Sequence, residues 1–203
     1  MWDDLLRRWK DAWLAPLARR LGPRVPPTAI TLVAACVGLA CAWAAARGMA
    51  ATAVALWAGN RLLDGLDGTQ ARVHGRQGDF GGYLDILLDF VVYAAIPLAF
   101  VVASPDVRTA TAVAWLLASF VVNAASWMYL AAVLERRHAG AAARGELTTV
   151  TMPPGLVAGT ETVVLYAVML AVPEWRLALV RLMTGLVALT VVQRVAWARR
   201  HLG

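Results

Sequence analysis

The sequence predicts an all-α integral membrane protein: six transmembrane helices preceded by an amphipathic interfacial helix. Three observations lead there. Of the 203 residues, 60% are hydrophobic, against roughly half in a soluble domain. The apolar residues come in runs such as Ala29–Ala46 and Val91–Ala103, which read as bilayer spans rather than soluble core. The formal net charge is +6, and the basic residues flank the apolar runs. That placement points to membrane topology and anionic lipid, and away from nucleic acid.

Residues 1–25 are the expected juxtamembrane helix. Trp2, Leu5, Leu6, Trp9, Trp13, Leu14 and Leu17 supply its apolar positions, and Arg7, Arg8, Lys10, Arg19 and Arg20 its basic ones. Such a helix lies in the interface plane. Because Met1–Leu21 lacks a continuous apolar stretch, it is not expected to act as a signal peptide. Pro23, Pro26 and Pro27 then end it.

Residues 26–203 are the expected transmembrane domain, with spans near 28–46, 50–73, 82–103, 107–133, 155–172 and 175–198. The links after the first, third and fifth spans are very short, as at Arg47-Gly48 and Ser104-Pro105-Asp106. The links after the second and fourth are longer. Arginines gather at the termini and in the longer links, while only Arg47, Arg108 and Arg176 stand on the other side. The positive-inside rule therefore puts the termini and longer links in the cytoplasm. Asp79 precedes the third span as its expected N-cap. Cys36 and Cys41, five apart, fall on different faces of the first span and are expected to stay unpaired.

The second span ends in Asp64-Gly-Leu-Asp67-Gly68-Thr-Gln-Ala71-Arg72, and the third opens with Gly81-Gly-Tyr-Leu-Asp85-Ile-Leu-Leu-Asp89. Carboxylates at the membrane are costly and mark function. Asp64 and Asp67 are three apart, Asp85 and Asp89 four apart, so each pair shares a helix face. The short link between the spans makes them antiparallel neighbours, with both pairs at the cytoplasmic mouth. Four uncompensated carboxylates would repel one another. Divalent cations resolve that, and an all-oxygen donor set favours Mg²⁺, Mn²⁺ or Ca²⁺ over zinc. Gly65, Gly68 and Ala71 clear one helix face for a bulky group, and Gly78, Gly81 and Gly82 do the same across the link.

The order of these residues resembles the signature of the CDP-alcohol phosphotransferase family, D-x2-D-G-x2-A-R-x8-G-x3-D-x3-D. Asp64, Asp67, Gly68, Ala71, Arg72, Gly81, Asp85 and Asp89 fill it with every spacing kept. The resemblance implies transfer of a phosphoryl-linked group from a CDP-alcohol to an acceptor hydroxyl, with release of CMP. It assigns two divalent metal ions, Mg²⁺ or Mn²⁺, to Asp64, Asp67, Asp85 and Asp89, and makes Asp89 the general base. Gly68, Ala71 and Gly81 would make room for the cytidine nucleotide, and Arg72 would meet its phosphates or cap the helix end. The expected donor is CDP-diacylglycerol, entering from the bilayer, and the acceptor a small polar alcohol. The expected setting is the bacterial inner membrane, multi-pass, with the active site facing the cytoplasm, and a homodimer is expected. One alternative reverses the lipid, passing a CDP-linked head group of the ethanolamine or choline type to diacylglycerol. Another is a cation-binding membrane transporter without enzyme activity.

Outside the signature, Glu161 near the start of the fifth span needs a partner, either Arg194 of the sixth span or a cationic head group. Arg194 itself could bind an acceptor phosphate or serve as an interfacial anchor. The basic link from Glu135 to Arg144 reads as a topology signal. Arg181, inside the sixth span, is expected to snorkel outward. His74 and His138 lie in links and are expected to be solvated. The acceptor itself is unread in the sequence, with serine, glycerol 3-phosphate, inositol phosphate, choline and ethanolamine all compatible.

Overall fold

The computed structural model describes residues 2–140 and 159–202. The expected start of the fifth span at 155–158, the end of the basic link at Arg144 and the side chains of residues 2–9 lie outside what is described. Among the described residues the chain is helical, without strands. Its helices are α1 (Trp2–Leu21), α2 (Pro27–Ala46), α3 (Ala50–Val73), α4 (Asp79–Ala103), α5 (Val107–Arg136), α6 (Gly159–Ala171) and α7 (Arg176–Leu202), with one 3-10 turn at Pro173–Trp175 before α7.

Among the described residues, four stretches are long and apolar enough to cross a bilayer: Pro27–Ala46, Asp79–Ala103, Val107–Arg136 and Pro173–Leu202. Helix α6 is apolar but shorter. Helix α3 is long enough, but Arg61, Asp64, Asp67 and Arg72 crowd its second half. The charged residues of the signature, together with Arg61, are the ones that deprive α3 of an uninterrupted apolar window.

Helix ends follow local chemistry. Pro27 opens α2 at a position whose missing N–H is no loss. Gly22 closes α1 with φ +70, and Gly75 turns the chain after α3 with φ +61, a left-handed backbone open to glycine without penalty. Gly78, not Asp79, is the N-cap of α4, and no side chain caps it. Asp79 stands instead in the first turn, where its charge complements the helix dipole. Asp106 caps α5, accepting from the backbone N–H groups of Arg108 and Thr109 and from the Thr109 hydroxyl. These donors hold its carboxyl below the usual carboxylate range. The cap is therefore intact at neutral pH and is lost only as pH falls through that lowered value.

The chain divides into two compact units, Met1–Pro105 with Leu170–Pro173, and Asp106–Met169 with Glu174–Gly203. In the first, α2 packs against both α3 and α4 through a small-residue face of Ala34, Ala35, Gly38, Cys41, Ala42 and Ala45. Small residues let helix backbones approach closely in lipid, where burial alone gives no driving force. Cys41 is free, and its thiol donates to the Ala53 carbonyl at 3.2 Å; Cys36 is free and exposed. Asn60 Nδ2 donates to the Ala34 carbonyl at 2.8 Å. Helix α1 joins this unit through Leu14 and Ala18, which pack with Ile30 and Leu66. In the second unit α5 pairs with α7, burying Leu116, Leu130 and Leu134 on one and Val180, Met183 and Val187 on the other. Leu32, Val33 and Trp43 of α2 and Val121 and Val122 of α5 are exposed, as suits surfaces that meet lipid.

Gly38 marks a close approach of α2 to α4. A Cβ there would stand 2.6 Å from Val92 Cγ2. Gly38→Val is expected to destabilise the protein by about 1–3 kcal/mol through overpacking. Thermal unfolding in detergent micelles reads this directly, and a melt equal to the wild type would contradict the close approach.

Candidate active site

Asp64 and Asp67 of α3 and Asp85 and Asp89 of α4 line one cavity of about 10 Å³, together with Thr31 of α2 and Asn60. That volume admits little more than one water-sized body. Asp67 is 5% exposed. Its Oδ1 accepts the backbone N–H of Gly68, while its buried Oδ2 has no hydrogen-bond partner among the described residues. A buried carboxylate oxygen without a donor is costly, and a cation satisfies it. The donor set, all carboxylate, and this orphaned oxygen both fit divalent metal ions of the hard, oxygen-seeking kind. Among the described residues, no three acidic, histidine or cysteine side chains converge as a closed ligand cluster.

Part of the carboxylate set is turned toward Arg61, a residue outside the signature. Its Nη2 lies 2.8 Å from Asp89 Oδ1 and its Nη1 lies 3.7 Å from Asp64 Oδ2. Nη1 also donates to the Tyr93 hydroxyl at 2.9 Å, and Nε donates to Asn60 Oδ1 at 2.8 Å. Since Asn60 gives its amide N–H to Ala34, its oxygen is left facing the arginine. The guanidinium carbon lies 4.7 Å from the Trp57 ring centre and 5.2 Å from that of Tyr93, and the two rings meet edge to face. Cation–π contacts of this kind gain strength when desolvated, and Trp57 is 2% exposed. The sequence did hold a signal for this. Trp57, Arg61 and Asp64 fall at spacings of four and three, along one helix face.

The small residues of the signature divide. At Gly65 an added Cβ would stand 2.8 Å from Lys10 Cδ and 3.1 Å from Leu14 Cδ1, so α1 takes the face expected to be open. At Gly68 the neighbour is Arg72, whose Nη1 would lie 3.0 Å from an added Cβ. Nothing stands within 4 Å of a Cβ at Gly81. Ala71 is half-buried. Arg72 is paired with Asp11 of α1 rather than standing free. Thr69 joins them, its hydroxyl 2.8 Å from Asp11 Oδ1. Gln70 donates to the carbonyls of Gly22 and Val25 at 2.9 and 3.0 Å. The His74 ring, expected to be solvated, lies 3.2 Å from the Ala18 carbonyl. The last turns of α3 are thus clamped by α1 and the link that follows it.

In the second unit Arg194 is buried. Its Nη1 donates to Asn123 Oδ1 at 2.8 Å and to Ser126 Oγ at 2.6 Å, both on α5. Glu161, its expected partner, stands exposed in the first turn of α6. The neutral polar groups of α5, not that carboxylate, hold the guanidinium.

A model of the CDP-alcohol phosphatidyltransferase family matches residues 24–195. The chain belongs to that family. It is 35% identical over 153 residues to the inner membrane protein YnjF of Escherichia coli, covering 75% of this chain and 73% of that one. It is 33% identical over 101 residues to a CDP-diacylglycerol–serine O-phosphatidyltransferase of Mycobacterium leprae, covering 49% of this chain and 33% of that one. Among solved structures it resembles the phosphatidylinositol phosphate synthase PgsA1 of Mycobacterium tuberculosis with CDP-DAG bound. The TM-score is 0.71 at 20% identity, over 90% of this chain and 92% of the other, so the fold is shared. This CDP-alcohol phosphatidyltransferase is thus a membrane enzyme of phospholipid biosynthesis, a transferase of substituted phosphate groups. The transporter alternative falls with that membership.

Removing the guanidinium would leave Asp64 and Asp89 without their shared counter-charge. Arg61→Met is expected to lower stability by about 1–3 kcal/mol, the cost of orphaning a charged hydrogen bond. Arg61→Lys should recover only part of this, because an ammonium lacks the planar fork that reaches two carboxylates and a hydroxyl together. Unfolding midpoints of both variants in detergent test the ranking; an unchanged midpoint for Arg61→Met would show the pairing contributes nothing.

Proposed function

We propose that the enzyme transfers the phosphatidyl group of CDP-diacylglycerol to the hydroxyl of a small polar alcohol and releases CMP. The observation that carries this reading is the complete eight-residue signature, with its four aspartates around a single cavity. The donor is supported by CDP-DAG in the structure of the similar synthase and by the name of the mycobacterial serine transferase.

In this reading Asp64, Asp67, Asp85 and Asp89 hold two divalent ions, Mg²⁺ or Mn²⁺, and the orphaned Asp67 Oδ2 is one ready donor. Bound there, such ions neutralise diphosphate charge and stabilise the leaving CMP. The acceptor oxygen attacks the phosphorus that bears diacylglycerol, the bond from that phosphorus to the CMP oxygen breaks, and Asp89 takes the hydroxyl proton. Arg61 holds Asp89 through Oδ1 and so fixes the direction in which its other oxygen faces. Gly81, with open space above it, and Gly68 and Ala71 flank the nucleotide. Arg72, paired with Asp11, steadies the end of α3 beside the phosphates.

The same reading places residues 1–25 as an interfacial helix, with Trp13 and Leu17 facing outward as support. Residues 26–203 form the catalytic domain, with all six later helices in the membrane, α3 and α6 included. The positive-inside pattern supports an active site facing the cytoplasm of a bacterial inner membrane, and the family supports a homodimer.

Two measurements test this. Purified enzyme with CDP-diacylglycerol and a panel of polar alcohols should release CMP, and EDTA should stop it; absence of metal-dependent CMP with every acceptor would sink the reading. Asp89→Asn should insert and fold yet lose at least about a hundredfold in turnover, the scale of a general base. Near-normal turnover would remove Asp89 from that role.

A further inference from the structure

A second cavity, of about 400 Å³, lies in the second unit between the first turns of α5 and α7. Arg108, Thr111 and Trp115 of α5 and Arg181 and Thr184 of α7 line it, the remainder is aliphatic, and among the described residues no acidic side chain contributes to the lining. Helix α5 begins just after the short link Ser104-Pro105-Asp106. By the arginine pattern of the sequence, that end of α5 belongs to the membrane face poor in basic residues.

Arginine is scarce on that face: Arg47, Arg108 and Arg176 stand there, with Arg181 inside the span beyond Arg176, and Arg108 and Arg181 line this one cavity. Arg181 lies five residues beyond Arg176, about 7–8 Å further along the helix. A guanidinium at that depth either snorkels outward or meets an anion. Snorkelling explains a lone arginine, but not two arginines lining one hollow with hydroxyl groups, where Asp106, the acid beside Arg108, is already engaged as the cap of α5. Guanidinium forks match phosphate oxygens in shape and charge. The Thr184 hydroxyl donates to the Val180 carbonyl at 2.9 Å, which leaves its lone pairs to accept from a ligand hydroxyl. Trp115 is 67% exposed at the rim, as an amphipathic ring at the head-group level would be. The volume falls at the lower end of small-ligand sites and suits a phosphodiester head group.

We propose that this cavity binds the phosphodiester head group of an anionic phospholipid from the adjacent leaflet. The inference stands apart from the catalytic reading, because none of these residues belongs to the aspartate site.

Native mass spectrometry of the full-length enzyme in detergent, with short-chain phosphatidylglycerol, is the test. The wild type should retain a lipid that the double variant Arg108→Gln/Arg181→Gln loses by at least about tenfold, the worth of one charge-assisted hydrogen bond. Phosphatidylcholine of equal chain length should be retained poorly. Inorganic phosphate in a parallel arm separates the two sources of this chemistry: a phosphate adduct without a phosphatidylglycerol adduct overturns the lipid site. Equal lipid retention by the double variant, or equal retention of the two lipids by the wild type, overturns it as well. Both arginines are exposed, and metal-dependent CMP release by the double variant would confirm that it folds. Should it not fold, the single variants serve, and two single variants that both hold phosphatidylglycerol like the wild type overturn the proposal.

Discussion

A carboxylate taken out of water must find compensating charge, and here four of them surround a space hardly larger than one water molecule. Much of the first unit can be understood as the scaffold that this demand requires. Arg61 supplies a cation to Asp64 and Asp89, but a guanidinium in an apolar bundle has its own desolvation to meet. Trp57 and Tyr93 meet it with their ring faces, Asn60 with its carbonyl oxygen, and Ala34 of α2 then fixes the Asn60 amide. The chain of dependence runs from a carboxylate on α4, through an arginine on α3, to a backbone carbonyl on α2.

Close approach of three helices makes that chain possible. The small-residue face of α2 brings its backbone within reach of the Asn60 amide. Gly38 sits where both Val92 and Asn60 would collide with a larger residue. The interior polar network and the tight packing are thus two descriptions of one arrangement, since a bulkier α2 would push Ala34 away from Asn60 and loosen the seat of Arg61.

The aspartates were legible in the sequence because helix periodicity alone puts Asp64 with Asp67 and Asp85 with Asp89, and a short link puts the two pairs together. Their counter-cation was less visible. The significance of Arg61 depends on Tyr93, which the packing of both α3 and α4 against α2 brings to it. Gly65 was misread for a related reason: a glycine clears a helix face, but which body fills the space is decided by distant chain, in this case Lys10 and Leu14. Local energetics decided the smaller differences. Gly78 rather than Asp79 starts α4, and His74 finds the Ala18 carbonyl because α1 returns along α3. The helix boundaries of α2 and α3 were readable to within a residue, since Pro27, Gly48 and Gly75 punctuate the sequence there.

The clamp of α1 on the end of α3 bears on the order of assembly. Asp11 and Ala18 leave the ribosome long before Thr69, Arg72 and His74, the residues that receive them. Until the signature segment has emerged, α1 has Ile30 of α2 to pack against but lacks the polar partners that α3 supplies. Completion of its docking would then be a late step of biogenesis, and a nascent chain released before Arg72 would carry an N-terminal helix whose Asp11 has no guanidinium to meet.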